Sequence, residues 1–433
     1  MWRNVESNIT IPEFYQNKNV FITGASGFLG KLLVEKLLRS SSGIKNIYVL
    51  IRPKHGKSPQ DRMSDATDDP LFDTIRKENS AALNKIIPII GDIEKVNFGL
   101  SERDKAEIIE NVTIIFHCAA SIRFDDPIKK AVFANIRSAR EITLLARQLK
   151  RIDVFVHLST AYSNCDNLIV EEKLYPAKMN WRDLIRLAEE YDETTLQYLV
   201  HKLIYPMPNT YVFTKALGEH AVVELAKDKI PAVIMRPTIV FSTYSDPVPG
   251  WLDNINGTAS ILYGLSKGVV RSTWLDINIR PDHVFADSVA KALIIASWKK
   301  AISLWKVNRK LFIAMSCLAP FMKNTWIFKN ENYMELRKSI LQQDSNEFSI
   351  VNFGPNASKK IHDECLEIYF KGIRKYFAKE PPATEAMVKK QVMLVLVDKL
   401  FKIILLGLVI YYVFCKMRLL SVLSGKVYTY FEN

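Results

Sequence analysis

The sequence predicts an α/β fold on a doubly wound parallel sheet, followed by a small helical C-terminal domain and a C-terminal membrane helix. Three observations predict it. Residues 19–300 alternate short apolar runs with helical patterns, the order that a parallel βαβ sheet requires. The first apolar run leads straight into Thr23-Gly24-Ala25-Ser26-Gly27-Phe28-Leu29-Gly30 and then a helical stretch. From Lys389 onward, seven Lys and Arg against two acids flank an unbroken apolar run of 13 residues, Ile403 to Cys415.

Composition narrows the class. The 433 residues correspond to two or three units at about 150 residues each. With 48% apolar and 24% charged residues, the chain is neither disordered, collagen-like nor a coiled coil. Lys and Arg outnumber Asp and Glu by 59 to 46, a net +13 that suits an anionic partner. No module interleaves basic and aromatic residues, so no nucleic acid partner is expected. The five Cys are scattered without a CxxC pair, which argues against a disulfide framework and a zinc ribbon and for a reducing compartment. No metal site is expected. MWRNVESNITIPEFYQNKN lacks an apolar core, so no secretory signal is expected there.

Six strands are expected in turn: Asn19–Thr23, Ile47–Ile51, Ile86–Ile90, Thr113–His117, Val154–Leu158 and Ala232–Arg236. Pro88 marks the third as an exposed or short strand, because proline cannot donate to a ladder. Helices are expected over Leu29–Ser40 and Ala134–Leu149, with the polar segment 58–79 as a surface excursion. Residues 170–208 read as an insertion whose Trp181, Leu184, Ile185, Leu187, Leu196 and Leu199 lean on the sheet over a ligand. The domain plan is therefore a nucleotide-binding domain over 14–300, a short linker over 301–325, a helical module over 326–380 and a membrane anchor over 391–415. A plain span needs about 20 apolar residues, so Asp398, Lys399 and Lys402 would fall within this one.

The glycine turn lies between a strand and a helix, the context that makes it a Rossmann-type dinucleotide site. Gly24 permits the turn, Gly27 lets backbone approach a pyrophosphate, and Gly30 lets the helix pack closely. The phosphates would meet the unpaired N–H groups of the helix start. After the second strand comes Ile51-Arg52-Pro53-Lys54, with Arg52 22 residues past Gly30 where an NAD site would carry an acid. A guanidinium there suits a 2′-phosphate, so NADPH is the expected cofactor. Asp92 and Ile93 end the third strand; Asp92 would accept from the adenine amino group, or else cap a turn.

Tyr211-Val-Phe-Thr-Lys215 opens a helix, and positions i and i+4 share a face. A cation near a phenol favours the phenolate and lowers its pKa toward a useful acid/base range. His157-Leu158-Ser159-Thr160 ends an intervening strand, where parallel sheets carry their chemistry. Either Ser159 or Thr160 qualifies to join Tyr211 around a carbonyl oxygen. Asn135 would hold a water relaying protons to Lys215, or else is a polar residue of the helix interior. His117 and His157 read as satisfied core histidines, and Cys118 as a small buried residue. Lys202, Arg236 and Lys267 are candidates to meet acidic phosphates of a substrate.

TGASGFLG, IRPK, FHCAASIRFD, VHLSTAYSNCD, PNTYVFTK, MRPTIV and PGWLDNING together closely resemble the fatty acyl-CoA reductases, insect members most of all, which are extended short-chain dehydrogenases. The match runs from about Phe14 to Trp298, and STAYSNCD and PGWLDN are more specific than the glycine turn. The resemblance implies NADPH-dependent reduction of a long-chain acyl-CoA, through an aldehyde, to a primary alcohol and free CoA. It implies Tyr211, Lys215 and Thr160 as catalytic residues. Thr23, Gly24, Ser26, Gly27, Phe28, Leu29, Gly30 and Arg52 fall in the cofactor motif. Residues 326–378 resemble the family's helical domain and the apolar tail its anchor, which implies a membrane-lipid partner and a cytosol-facing enzyme on endoplasmic reticulum or peroxisome. One departure stands out: fewer than thirty residues separate Trp298 from Trp326, where the family has a far longer, membrane-contacting stretch. Two rivals follow, a membrane-bound dehydrogenase of a sterol or other lipid alcohol and a non-catalytic NADP-binding isoform. PGWLDN and the helical domain speak against the first. The second would bind cofactor and consume no acyl-CoA.

Overall fold

A computed structural model describes residues 9–53, 56–254, 258–268, 282–302, 327–328, 335–336, 338–348, 359–377, 379, 393 and 396–403. Its contacts divide the chain into Met1–Ala378 and Lys379–Asn433.

In the first unit, α1 (Ile11–Tyr15) precedes β1 (Asn19–Thr23), α2 (Phe28–Ser40), β2 (Asn46–Ile51), α3 (Pro59–Thr67), α4 (Asp73–Asn79) and β3 (Ile86–Ile90). The second half of the sheet follows with α5 (Glu102–Asn111), β4 (Ile114–His117), α6 (Ile128–Ala131), a π-helical turn over Val132–Arg137, α7 (Ser138–Ala146) and β5 (Val154–Leu158). Then come β6 (Ile169–Val170), α8 (Trp181–Glu190), α9 (Glu193–Ile204), α10 (Thr210–Ala226), β7 (Ala232–Met235) and β8 (Ile239–Phe241). The remainder is α11 (Thr258–Ser266), β9 (His283–Phe285), α12 (Ala286–Ile302), β10 (Ile327–Phe328), α13 (Ser345–Phe348) and α14 (Lys359–Gly372).

Six strands form one parallel sheet in the order β3-β2-β1-β4-β5-β7. Each expected strand is present to within a residue at its ends. The chain reverses direction across the sheet between β1 and β4, which opens a crevice at the strands' carboxyl ends. Alternate residues of β1 enter opposite cores, as a sheet covered on both faces demands. Val20 and Ile22 join α2 and α12, whereas Phe21 joins α5, α7 and α10. Pro88 sits on the edge strand β3, where its missing N–H costs no ladder bond to a further strand.

Segment 58–79 is not a surface excursion. Met63, Leu71, Phe72 and Ile75 are buried in the main core, so its polar residues are the outer face of packed helices. Ser58 and Asp61 cap α3 reciprocally. The insertion also differs from expectation. Trp181, Leu184, Ile185 and Leu196 pack on α10 and the π-helical turn in a core of their own, while Leu199 is exposed. No residue of 170–208 reaches the cavity described below.

The C-terminal part of this unit is joined to the sheet by charge and by apolar contact. Lys36 binds Asp246 at 2.8 Å and Glu347 at 2.6 Å, and Arg39 binds Glu347 at 2.7 Å. Ile361, Cys365 and Tyr369, spaced four apart on α14, face Ile239, Phe241 and Phe285.

The expected linker lies almost wholly outside the described residues, as does most of the expected anchor. In the second unit, residues 396–403 are helical and expose Leu396, Val397, Leu400, Phe401 and Ile403. No helix of the described residues is long and apolar enough to cross a membrane.

Candidate active site

A cavity of about 640 Å³ opens at the carboxyl ends of the central strands. The glycine turn forms one wall. Gly24 has φ +77°, and a Cβ there would meet the Ala119 nitrogen at 2.7 Å. A Cβ on Gly30 would run into the Gly24 carbonyl and approach the Ala25 Cα at 2.7 Å, so only glycine lets α2 begin this close to β1. Gly27 is the N-cap of α2 and offers no side-chain cap, leaving the first amides directed at the cavity wall. This cradle fits a pyrophosphate. Ser26, Phe28 and Leu29 line the same wall.

Thr23 does not line it. Its hydroxyl lies 2.7 Å from His117 Nδ1 and accepts from the Ala119 amide at 3.2 Å, tying the ends of β1 and β4 together beneath the turn. Arg52 lines the cavity, 62% exposed in its side chain, with Glu94 at 3.6 Å. Beside it stands Arg62 on α3, which donates to the Arg52 carbonyl and which sequence reasoning missed. Its signal was a cation 10 residues beyond Arg52, hidden in a segment read as an excursion. Asp92 and Ile93 are on the wall too, but Asp92 Oδ1 accepts from the Glu94 amide at 3.0 Å and so caps the turn.

The opposite wall carries the hydroxyls and the ammonium. Ser159 and Thr160 leave the end of β5, while Tyr211 and Lys215 rise from one face of α10. Asn209 caps that helix, its side chain accepting from the Val212 amide at 3.0 Å. Burial pushes the Tyr211 phenol up to about 12, with the neighbouring Thr160 hydroxyl pulling the other way. Both Ser159 and Thr160 line the cavity, and of the two only Thr160 acts on the phenol. Lys215 was expected to lower the tyrosine, but its ammonium donates instead to the Leu158 carbonyl at 2.6 Å. Burial lowers Lys215 to about 8, with Glu219 and Cys118 opposing.

Asn135 lies behind this wall, not on it. Its Oδ1 accepts from the Ser121 amide at 2.9 Å, and its Nδ2 donates to the Ser121 carbonyl and to Thr214 Oγ1. Its side chain therefore clamps the 118–124 loop to α10, and the expected water-holding role is not what its amide does here. Phe124 in that loop packs edge-on to Tyr211 at 5.4 Å.

Below Lys215, the Glu219 carboxylate meets Arg236 at 2.6 Å, both essentially buried, and accepts from Ser163 at 3.0 Å. Burial alone would raise Glu219, but Arg236 outweighs it and holds the carboxyl below its usual range. Arg236 is thus committed to an internal pair, and neither it nor Lys202 nor Lys267 lines the cavity. His117 keeps its Thr23 bond as expected. His157, stacked on it at 5.2 Å, has neither ring nitrogen partnered, so it is buried but not satisfied. Cys118 lines the cavity, and burial pushes its thiol up to about 12, away from nucleophilic use. Among the described residues, no cluster of His, Cys, Asp or Glu could hold a metal.

Comparison with known proteins gives consistent results. Residues 22–293 match an NAD-binding family described as male sterility protein, and 283–380 match its companion Sterile family of the same description. Fatty acyl-CoA reductase 1 of Pongo abelii is 41% identical over 295 residues, 68% of this chain and 57% of that protein. The human protein of that name is 40% identical over the same shares. The chain thus spans little more than half the length of these relatives. Among solved structures, the reductase domain of a non-ribosomal peptide synthetase from Mycobacterium tuberculosis has a TM-score of 0.56 at 16% identity, covering 83% of this chain and 92% of that one. That likeness concerns the fold.

Proposed function

Because the chain belongs to the male sterility protein family, we propose that it is an NADPH-dependent reductase converting long-chain fatty acyl-CoA to primary fatty alcohol and free CoA. One observation carries the chemistry. The glycine cradle, two arginines and the Thr160/Tyr211/Lys215 group all line one cavity. The substrate class comes from the names of the relatives.

Arg52 and Arg62 would hold a 2′-phosphate, and the α2 amides the pyrophosphate. When bound, the cofactor supplies hydride to the carbonyl carbon. Tyr211 and Thr160 then donate to the carbonyl oxygen, where negative charge grows. With its pKa near 12, the phenol is fully protonated at neutral pH and gives up its proton only to a strongly basic oxygen. Lys215, held by the Leu158 carbonyl, presents positive charge beneath them and would hold the ribose hydroxyls of the cofactor. The Ser121 and Phe124 loop, clamped by Asn135, sets Phe124 edge-on against the phenol ring. The centre is used twice. A first hydride turns the thioester into a hemithioacetal whose C–S bond breaks to release CoA as the thiol and leave an aldehyde. A second hydride with a proton turns the aldehyde into the alcohol.

The exposed apolar residues of 396–403 and the basic tail support attachment to a cytosol-facing membrane, where acyl chains concentrate. The test is NADPH oxidation by detergent-solubilised protein with acyl-CoAs of graded length, with alcohol quantified. Two NADPH per alcohol are expected. Tyr211→Phe should lose roughly a hundredfold or more of the rate and keep NADPH binding; lost binding would sink the role given to Tyr211.

A further inference from the structure

One part of the cavity wall carries none of the groups assigned above to phosphate or to the carbonyl, and Phe28 of the glycine turn packs against it. Ile239, Phe241, Leu252 and Ala259 make it apolar. Tyr369 of α14 adds to it, the one wall residue contributed from beyond Ala259 among the described residues. Its ring stacks on Phe241 at 4.2 Å and 11°. The side chain is buried, 2% exposed, and among the described residues its phenol makes no hydrogen bond. The ring is part of the apolar cluster around Ile239 and Phe241, and the hydroxyl is not among the fully buried polar atoms, so no internal hydrogen bond sets its place.

The position is held firmly from behind. Ile361 and Cys365 precede Tyr369 on the same face of α14, and Gly372, one turn further, lies against Gly250 backbone to backbone. Gly250 belongs to the PGWLDN segment, whose specificity the sequence showed without a reason. Its φ of +72° and lack of a side chain let α14 approach, and that approach places Tyr369 in the wall.

We propose that Tyr369, stacked on Phe241, is a specificity-determining residue that ends the compartment receiving the substrate's acyl chain and so sets the longest chain accommodated. This rests on the acyl-CoA reading above. A chain entering an apolar compartment gains about fourfold in affinity for each methylene buried. The gain stops where the chain meets a fixed ring.

The experiment is displacement of a fluorescent fatty acyl-CoA probe from the full-length protein in detergent by saturated acyl-CoAs of increasing length. It reads binding alone. In the wild type, affinity should climb with length and then level off. Tyr369→Ala should move the plateau to longer chains, each added methylene there regaining about fourfold. Tyr369→Phe, which keeps the ring and its stack on Phe241, should keep the wild-type plateau. Tyr369→Leu, which keeps bulk in the core, provides a milder shift should the alanine variant unfold. An identical plateau in all folded variants overturns the proposal, as does a wild type that binds no acyl chain. Probe binding and a Tyr369-dependent plateau without NADPH oxidation would uphold the compartment and overturn the reductase reading instead.

Discussion

Gly372 and Gly250 meet with nothing between them: a Cβ on Gly250 would lie 3.0 Å from the Gly372 Cα, and one on Gly372 would enter the Gly250 carbonyl. The contact fastens the last helix of the first unit to the segment between β8 and α11. The next residue, Trp251, donates its indole N–H to Asp69 at 2.7 Å, so three stretches distant in sequence are joined at one place.

Gly372→Ala should therefore destabilise the protein by about 1–3 kcal/mol, the usual cost of overpacking a closed contact. Lys371→Ala next to it, on an exposed residue, should change stability by no more than about 0.5 kcal/mol. Thermal unfolding of the two variants side by side checks this, and equal melting temperatures would count against the contact.

Arg62 stands beside Arg52 on the cavity wall. If both meet a 2′-phosphate, Arg62→Ala removes a charged hydrogen bond of about 1.5–3 kcal/mol. The KM for NADPH should rise about ten- to a hundredfold while that for NADH stays put. Steady-state rates with both cofactors decide it; parallel changes would place Arg62 in the fold alone.

Lys215 sits near pKa 8, below its usual 10.5, so it is mostly charged at pH 7 and discharges as pH rises through about 8. Tyr211, near 12, does not titrate in that range. The rate should fall on the alkaline side with a midpoint near 8. Between pH 8 and 10.5 the unfolded chain binds more protons at this lysine than the folded one, so its contribution to stability rises with pH there. Rates from pH 6 to 10, with stability measured in parallel, test both signs.

His117, lowered by burial to about 3, and His157, lowered by the same cause, are neutral in the folded chain. Their unfolded forms take up protons near pH 6.5. Stability should thus decline as pH falls below about 6.5, by roughly 1.4 kcal/mol per pH unit for each. His157→Leu should remove one histidine's share of that slope. Denaturant titrations at pH 7 and pH 5 measure it.

Much of this was legible along the chain, for a physical reason. The strand positions, the glycine turn, the edge proline and the i, i+4 pairing of Tyr211 with Lys215 depend on backbone geometry over a few residues, and short-range patterns report short-range geometry. That Thr160 rather than Ser159 acts on the Tyr211 phenol was not legible, because both hydroxyls leave the same strand end and only the approach of α10 separates them. Thr23 and Asn135 were placed in the site by position, but their hydrogen bonds turn them into struts behind it. Segment 58–79 read as polar because helices packed on one face show a polar outer face in sequence. Arg62 was lost with it.

By itself, then, the sequence determined the doubly wound sheet, the phosphate cradle and the hydroxyl–lysine pair, since each is written in neighbouring residues. Only the tertiary structure decided which hydroxyl meets Tyr211, what holds Lys215, and that Tyr369 shares a cavity with Gly24. These relationships join residues up to several hundred positions apart. Their distances follow from how helices settle on the sheet, through contacts such as Gly250 on Gly372 that no local pattern records.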